Sequence, residues 1–264
     1  MTFVRFFGAA AALVIAAAVV ACGDGDEGGG SPSASPSAGA SATASPQVTG
    51  TAGGETDPPG ETVPPSTATE PSTETAPPAG DVTALTPVDK QHSLPADYVP
   101  PGLAALPDAY LAPGFGGSLA QEALDALRQM LDAADAAGYD IRCRSGYRSY
   151  TEQEATFNYW VSVLGYDEAV RVSAMPGHSE HQLGTACDLT SPEVGWDLIE
   201  SFGGTAPGQW LEAHAHEYGW ALSYPAGQEA VTGYAYEPWH FRYIGAGEAA
   251  AWKASGLTLG EYLR

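Results

Sequence analysis

Met175-Pro-Gly-His-Ser-Glu-His-Gln-Leu-Gly-Thr-Ala-Cys-Asp-Leu189 is the stretch of sequence around which the rest of the chain can be organised. It places His181 and Asp188 seven residues apart, with Gly184 between them. On one uninterrupted strand this odd spacing would put the two side chains on opposite faces. They can converge only if the backbone turns or bulges between them, which a glycine permits. The stretch therefore predicts a turn or a bulge at Gly184, followed by a strand over residues 185–190.

A second stretch, Glu237-Pro-Trp-His-Phe-Arg-Tyr243, supplies another histidine and a glutamate. Together the two stretches offer His181, Asp188 and His240 as candidate metal ligands, with Glu237 left over. Three protein ligands, an open fourth position and a base that is not a ligand are the parts of a catalytic zinc site. The prediction depends on the residue types, because the spacing does not match the helical HExxH signature of many zinc proteases.

Each of these residues also has a plainer structural interpretation. His181 and His240 have the alternative of being buried structural histidines, and Asp188 that of an acid at the end of a strand. His178 lies three residues before His181 and is an alternative ligand, although we interpret it as a turn residue near the pocket. Glu180 is interpreted as a residue that caps or hydrogen-bonds locally.

The rest of the domain shows separate helical and strand patterns without a βαβ alternation. Ser118 and Gln121 fit a capping box that opens a helix over 119–137, and Ser149 with Glu152 fits a second one. This segregation predicts an α+β domain in which helices flank a small antiparallel sheet. Residues 91–117 are predicted to be a surface lead-in without periodicity. The remaining predicted elements are strands over 139–145, 220–224 and 239–244 and helices over 149–163, 167–174, 209–218 and from about Glu248 onward.

Five motifs in order over about 139–245 resemble the VanY-type D-alanyl-D-alanine carboxypeptidase family. They are Ser145-Gly-Tyr-Arg-Ser149 with Gln153, the stretch around His181 and Asp188, Trp210-Leu, Tyr218-Gly-Trp with Tyr224-Pro225, and Glu237–Tyr243. The resemblance implies the small α+β fold that this family shares with lysostaphin-type peptidases and the hedgehog signalling domain. There are two departures: Cys187 stands where an aliphatic residue is expected, and Ser223 where the family often has arginine.

The resemblance also implies a role for each matching residue. Zn²⁺ would be held by His181, Asp188 and His240, with Glu237 as general base. Arg148 would contact the substrate and stabilise developing negative charge, and its planar guanidinium suits either a carboxylate or an oxyanion. Gln153 and Ser179 match positions that line the substrate pocket.

The two ends of the chain predict different things. Residues 1–22 have the pattern of a secretory signal that ends in a lipobox-like Val-Val-Ala-Cys22, so we predict lipidation of Cys22; an ordinary signal peptide is the alternative. Residues 23–90 are rich in Ser, Thr, Pro and Gly and predict a disordered linker, or a simple spacer. Residues 91–264 predict one catalytic domain.

Charge and cysteine content limit the partners and the compartment. The formal net charge of −22 argues against nucleic acid and against direct binding to anionic lipid. The signal pattern of residues 1–22 predicts an extracytoplasmic protein that is anchored to the bacterial membrane by lipid. The family resemblance implies that it acts on peptidoglycan stem peptides, and we expect a monomer. Cys143 and Cys187 are either a disulfide, which an exported compartment permits, or two small buried residues.

These observations favour a zinc-dependent D-alanyl-D-alanine carboxypeptidase. Within the same class the alternatives are an L,D-carboxypeptidase, a D,D-dipeptidase and an L,D-endopeptidase, which differ in pocket loops. A non-catalytic module that binds wall peptides would be favoured by loss of Glu237 or of a ligand, but all are present. A zinc-stabilised structural domain would be favoured by a closed site of four ligands, and the sequence offers three convincing ones.

Overall fold

Residues 82–264 are described by a computed structural model of the chain. They form the predicted single α+β domain, and the predictions for residues 1–22 and 23–81 lie outside the described region. In residues 82–264 no helix has the length and apolar character needed to cross a membrane. The elements are β1 (Leu103–Ala105), β2 (Ser118–Ala120), α1 (Gln121–Ala136), β3 (Arg142–Ser145), α2 (Tyr150–Leu164), α3 (Tyr166–Val172), β4 (Ala186–Thr190), α4 (Ala206–His214), β5 (Trp220–Leu222), α5 (Glu229–Thr232), β6 (His240–Tyr243), α6 (Ala246–Ser255) and α7 (Leu259–Tyr262).

A four-stranded antiparallel sheet, in the order β3-β4-β6-β5, forms the centre of the domain. Its two middle strands, β4 and β6, come from the two stretches that the sequence singles out. Their register pairs Asp188 directly with His240. Because residues opposite each other on neighbouring strands project from the same face, this register places both side chains on one side of the sheet.

Helix α1 covers the hydrophobic side of the sheet. Leu124, Leu127 and Leu131 are buried in one cluster with Leu189 and Phe241 of the middle strands. The helix ends just before Gly138, as predicted, and the φ of 89° at Gly138 lets the amide of Tyr139 donate to the carbonyl of Ala134.

The predicted start of α1 is wrong. Ser118 belongs to β2, and the residue before the helix is Ala120, which makes no side-chain cap. The backbone around Ser118 pairs with β1, with Ala105 opposite Ser118, so tertiary pairing overrides the local capping signal. Residues 91–117 are therefore more than a lead-in, since they contribute one strand of a hairpin. The second capping box is confirmed: the side chains of Ser149 and Glu152 cap α2 reciprocally.

Residues 82–90, which we call the strap, are an ordered part of the domain, and the sequence places them in the linker. Val88 is buried with Leu94 and Leu183. The ammonium of Lys90 lies 3.6 Å from the centre of the Tyr234 ring. The composition of the strap resembles that of the linker before it, and it is ordered by contacts with distant residues. The domain therefore begins at least nine residues earlier than predicted.

Cys143 and Cys187 form a disulfide between β3 and β4, which decides between the two interpretations left open by the sequence. Both residues are fully buried. Cys187 immediately precedes Asp188, so the bond joins the strand that carries this carboxylate to the neighbouring edge strand.

Replacing both cysteines with alanine should lower the thermal unfolding midpoint by about 8–16 °C. The bridge spans 44 residues, for which chain-entropy arguments give about 4 kcal/mol, and in a domain of this size each kcal/mol is worth about 2–4 °C. The midpoint is measured by circular dichroism with and without reductant. Reductant should lower the midpoint of the parent protein and leave the double variant unchanged; equal midpoints for both proteins without reductant would contradict the prediction.

Candidate active site

The turn predicted at Gly184 brings the first stretch together. His181 lies in a short 3₁₀ helix (Glu180–Leu183), and Gly184 ends it with a left-handed φ of 71°. A β-carbon at Gly184 would lie 2.8 Å from Cγ of Pro100, so both the conformation and the space favour glycine. The chain then enters β4, which carries Asp188.

A tight turn positions the second stretch. The amide of His240 donates to the carbonyl of Glu237 at 3.1 Å, with Pro238 at the second position of the turn, where proline is favoured. The turn folds the Glu237 side chain back over the start of β6. One carboxylate oxygen of Glu237 lies 3.8 Å from Nδ1 of His240.

The three predicted ligands converge. His181 Nε2 lies 3.3 Å from Oδ2 of Asp188, and His240 Nδ1 lies 3.1 Å from Oδ1 of the same carboxylate. One donor atom from each of the three residues falls within 4.8 Å of the others. Their side chains are almost completely buried, so they are held in place by the surrounding structure.

The other nitrogen of each imidazole is already engaged. His181 Nδ1 lies 2.7 Å from the carbonyl oxygen of Gly146, and His240 Nε2 lies 2.9 Å from Oε2 of Glu180. Such bonds fix the tautomer and orientation of a metal-binding histidine. His181 therefore presents Nε2 and His240 presents Nδ1 toward Asp188.

The other predicted site residues line one cleft beside the histidines. Arg148, Gln153, Ser179 and Glu237 all contribute to its wall. Within residues 82–264, Nε of Arg148 and Oε1 of Gln153 are buried and have no hydrogen-bond partner. A donor and an acceptor left unsatisfied beside a row of candidate ligands are suited to a polar substrate.

Comparison with known proteins agrees with this geometry. The family model described as "VanY: D-alanyl-D-alanine carboxypeptidase" matches residues 116–246. The solved structure of the LD-carboxypeptidase LdcB is 42% identical, with a TM-score of 0.63, and the match covers 68% of this chain and 85% of LdcB. The chain belongs to the VanY D-alanyl-D-alanine carboxypeptidase family.

Two further relatives of this chain bear on the metal and on the extent of the match. A VanY D,D-pentapeptidase variant from the VanB-type resistance cassette, solved in complex with Zn(II), is 30% identical, with a TM-score of 0.57; the match covers 69% of this chain and 99% of that one. The Bacillus subtilis (strain 168) protein YodJ is 42% identical over 180 residues, which are 66% of this chain and 65% of YodJ. The match thus spans about two thirds of the length of that curated relative.

The donor set of this VanY-family chain fits zinc. Two imidazole nitrogens and one carboxylate are the ligand types of catalytic zinc sites. The negative charge around His240 also favours a cation. Burial alone would lower the pKa of His240, but the hydrogen bonds to Asp188 and Glu180 raise this pKa to about 10. Without metal, the carboxylates therefore hold a proton on the imidazole, which a divalent cation would displace.

Glu237 differs from Asp188 in its surroundings. Burial raises the pKa of Glu237 from 4.5 to about 7. The charges of His240 and Arg148 lower this pKa, but their effect is smaller than that of burial. By contrast, burial raises the pKa of Asp188, but His181 and His240 outweigh burial and hold it well below the usual range. One carboxylate is thus suited to remain a charged ligand, and the other to exchange a proton near neutral pH.

Glu237→Gln should stabilise the metal-free protein at pH 8. Because the native pKa lies above the unfolded value, the native state is favoured by protonation below pH 4.5, and this stability is lost as the pH rises through about 7. A neutral glutamine avoids that loss, which is worth up to about 3 kcal/mol. Urea unfolding of chelator-treated proteins at pH 8 and pH 4.5 measures the difference, which should shrink at the lower pH. An equal difference at both values would contradict this account.

Of two residues that lie near His181 in the sequence, His178 stays away from the ligand cluster and Glu180 contacts it. His178, the alternative ligand, stays outside the cluster, and its Nδ1 lies 2.7 Å from the carbonyl oxygen of Asp89. Glu180 is more than a local capping residue, because it contacts His240, Ser223 and Arg242. Ser223, one of the two departures from the family pattern, thus hydrogen-bonds to Glu180. The sequence signal for Glu180 was only its place beside His181.

Proposed function

We propose that this chain is a zinc-dependent D-alanyl-D-alanine carboxypeptidase that removes the terminal D-alanine from peptidoglycan stem peptides. The observation that carries the proposal is the convergence of His181, Asp188 and His240 in one cleft, with Glu237 beside them and outside the ligand set. Membership of the VanY family and the zinc complex of a relative support it.

The residues of the cleft divide the work of amide hydrolysis. His181, Asp188 and His240 would hold the zinc ion, which when bound supplies Lewis acidity and makes water acidic enough to ionise near pH 7. Glu237 takes a proton from the attacking water and delivers it to the amine nitrogen of the leaving D-alanine. Arg148 places a permanent positive charge in the same cleft, where the carbonyl oxygen or the terminal carboxylate of the substrate needs it.

Arg148→Met should lower kcat/KM by about 10²–10³-fold, the usual cost of losing one donor to a developing oxyanion. A rise in KM alone would assign Arg148 to the substrate carboxylate, whereas a fall in kcat would assign it to the transition state. Arg148→Lys keeps the charge but not the planar guanidinium, so its kcat/KM should lie between those of the parent chain and Arg148→Met.

Steady-state kinetics of these variants, with the zinc content checked, gives the answer. The matched control is Arg128→Met, because Arg128 lies on the exposed face of α1. An Arg148→Met protein with parent kcat/KM would remove Arg148 from the mechanism.

An L,D-carboxypeptidase is the second candidate. It is favoured by the 42% identity to LdcB, which exceeds the 30% identity to the VanY D,D-pentapeptidase. Both enzymes would need the same ligands and base, so the choice depends on how the cleft walls receive the residue before the scissile bond.

Mass spectrometry of muropeptides distinguishes these functions. The zinc-loaded chain is incubated separately with pentapeptide and tetrapeptide muropeptides, and Glu237→Gln serves as the inactive control. Loss of one D-alanine from the pentapeptide alone supports the D,D-carboxypeptidase. Conversion of tetrapeptide to tripeptide establishes the L,D activity, and release of a dipeptide or cleavage within the stem would replace both. Intact substrates would favour a non-catalytic module that binds wall peptides.

We further propose an extracytoplasmic location, with the chain anchored to the bacterial membrane by a lipid on Cys22 and acting as a monomer. The support for the location and the anchor is the sequence pattern of residues 1–22, and stable anchoring needs about two acyl chains. In a bacterial host, Cys22→Ala should move the protein from the membrane fraction to the soluble fraction. A Cys22→Ala protein that stays with the membranes would overturn the lipid anchor.

A further inference from the structure

Glu180 lies at the junction of the two stretches that form the site. It directly precedes His181 in the 3₁₀ helix, and its Oε2 lies 2.9 Å from Nε2 of His240. The same oxygen accepts a 2.6 Å hydrogen bond from the hydroxyl of Ser223. A single buried carboxylate therefore touches one candidate ligand and neighbours another along the chain.

The second oxygen of Glu180 is held by Arg242. Nη1 of Arg242 donates to Oε1 of Glu180 at 2.9 Å. Arg242 has no exposed surface and Glu180 is 5% exposed, so the two charges neutralise each other inside the protein. Arg242 lies two residues after His240 on β6 and thus on the same face of the strand.

The strap contacts the other side of the Arg242 guanidinium. Nη2 of Arg242 donates to the carbonyl oxygens of Ala84 and Thr86, at 2.8 and 2.6 Å. These two carbonyls belong to the segment that joins the domain to residues 1–81. Val88 in the core and the contact of Asp89 with His178 fix the strap beside them.

We propose that Glu180 is a positioning residue for the zinc site and that the strap is part of the same device. The strap carbonyls orient Arg242, Arg242 orients Glu180, and Glu180 holds Nε2 of His240 so that Nδ1 faces the metal. Partners that hold the second nitrogen of a metal-binding histidine contribute about 10- to 100-fold to metal affinity or activity. The inference rests on the proposed zinc site, and it adds the strap, at the N-terminal end of the domain, to the residues that support this site.

Zinc affinity of the full chain tests the role of Glu180. The dissociation constant is measured by competition with a chromophoric chelator, and near-ultraviolet circular dichroism reports whether each protein is folded. Glu180→Ala should bind zinc about 10- to 100-fold more weakly than the parent chain. Glu180→Gln keeps the shape of the side chain and an acceptor oxygen, so its zinc dissociation constant should lie between those of the parent chain and Glu180→Ala.

A double variant separates positioning from stability. Glu180→Ala leaves Arg242 as an uncompensated buried charge, which destabilises a protein. Glu180→Leu combined with Arg242→Met removes both charges and should unfold at a higher temperature than Glu180→Ala. Its zinc affinity should nevertheless stay as low. A folded double variant that binds zinc within about twofold of the parent chain would overturn the positioning role.

Deletion of residues 82–86 from the full chain tests the strap. This deletion removes the carbonyls of Ala84 and Thr86 and should weaken zinc binding by about 10-fold, at the lower end of the expected range. Deletion of residues 61–65 removes the same length outside the described region and should have no effect. Arg264→Gln breaks the 2.9 Å contact between Arg264 and Asp89 of the strap without touching Arg242, and should also bind zinc normally.

The outcomes distinguish the two proposals. A parent chain that does not bind zinc overturns the proposed function and this inference together. A parent chain that binds zinc, with a folded Glu180→Ala protein of equal affinity, overturns only the positioning role. If the strap-deletion protein bound zinc as tightly as the parent chain while Glu180→Ala bound it more weakly, the strap would have no part in supporting the zinc site.

Discussion

Replacing Glu237 with glutamine is expected to lower kcat by about 10²–10⁴-fold, the range typical of a general acid–base group, while zinc stays bound. Glutamine keeps the size of the side chain but cannot accept the proton that the attacking water must lose. The ligand set is untouched, since Glu237 lies 3.8 Å from His240 Nδ1 and outside the His181–Asp188–His240 cluster. Product release from whichever muropeptide the parent chain cleaves is followed by mass spectrometry, and metal content by atomic absorption.

The matched control is Glu212→Gln. Glu212 is exposed on α4 and lies outside the cleft, so its variant should turn over substrate at the parent rate. If Glu237→Gln retained full turnover with zinc bound, another group would have to accept the proton. If it lost its zinc, Glu237 would belong to the ligand set and the division of roles in the cleft would be wrong.

Removing the carboxylate of Asp188 is the second change with a large expected effect. Asp188→Ala takes away the group that lies between the two imidazoles and leaves two nitrogen donors. We expect zinc to be lost at stoichiometric concentrations and hydrolysis to fall to the level of the chelator-treated parent chain. In the parent chain, chelation should abolish activity and added zinc should restore it, because the ionised water of such enzymes depends on the metal.

Competition with a chromophoric chelator measures zinc binding by the Asp188 variant, and Asp125→Asn, on the exposed face of α1, serves as control. Zinc affinity of the parent chain should fall as the medium is acidified, because the metal displaces a proton from His240, whose pKa is raised to about 10 by Asp188 and Glu180 against the effect of burial. Parent activity that survives thorough chelation would point to a mechanism without metal.

The parts of the site that could be predicted from sequence are those encoded within one short stretch. Gly184 signals its turn because only glycine adopts that conformation at no steric cost, and the structure has the turn there. The reciprocal cap of Ser149 and Glu152 is also local and also correct. The three candidate ligands could be chosen by residue type, although their convergence depends on a strand register that the sequence does not display.

The parts that sequence reasoning missed depend on partners far apart in the chain. Glu180 owes its burial and its role to Ser223 and Arg242, which lie 43 and 62 residues away. The strap is ordered by Arg242, more than 150 residues later, while its own composition resembles a linker. The β1–β2 hairpin consists of three-residue strands, which are too short to carry a periodic pattern.

The pairing of Asp188 with His240 across the two central strands has a consequence for how such an enzyme diversifies. A slip of one residue between β4 and β6 would turn one of the two side chains to the opposite face and abolish the candidate metal site. Ala174 and Leu198, by contrast, reach the cleft from segments outside the strands, where insertions and substitutions leave the pairing intact. New substrates are therefore accessible through those segments, with the hydrolytic machinery inherited unchanged.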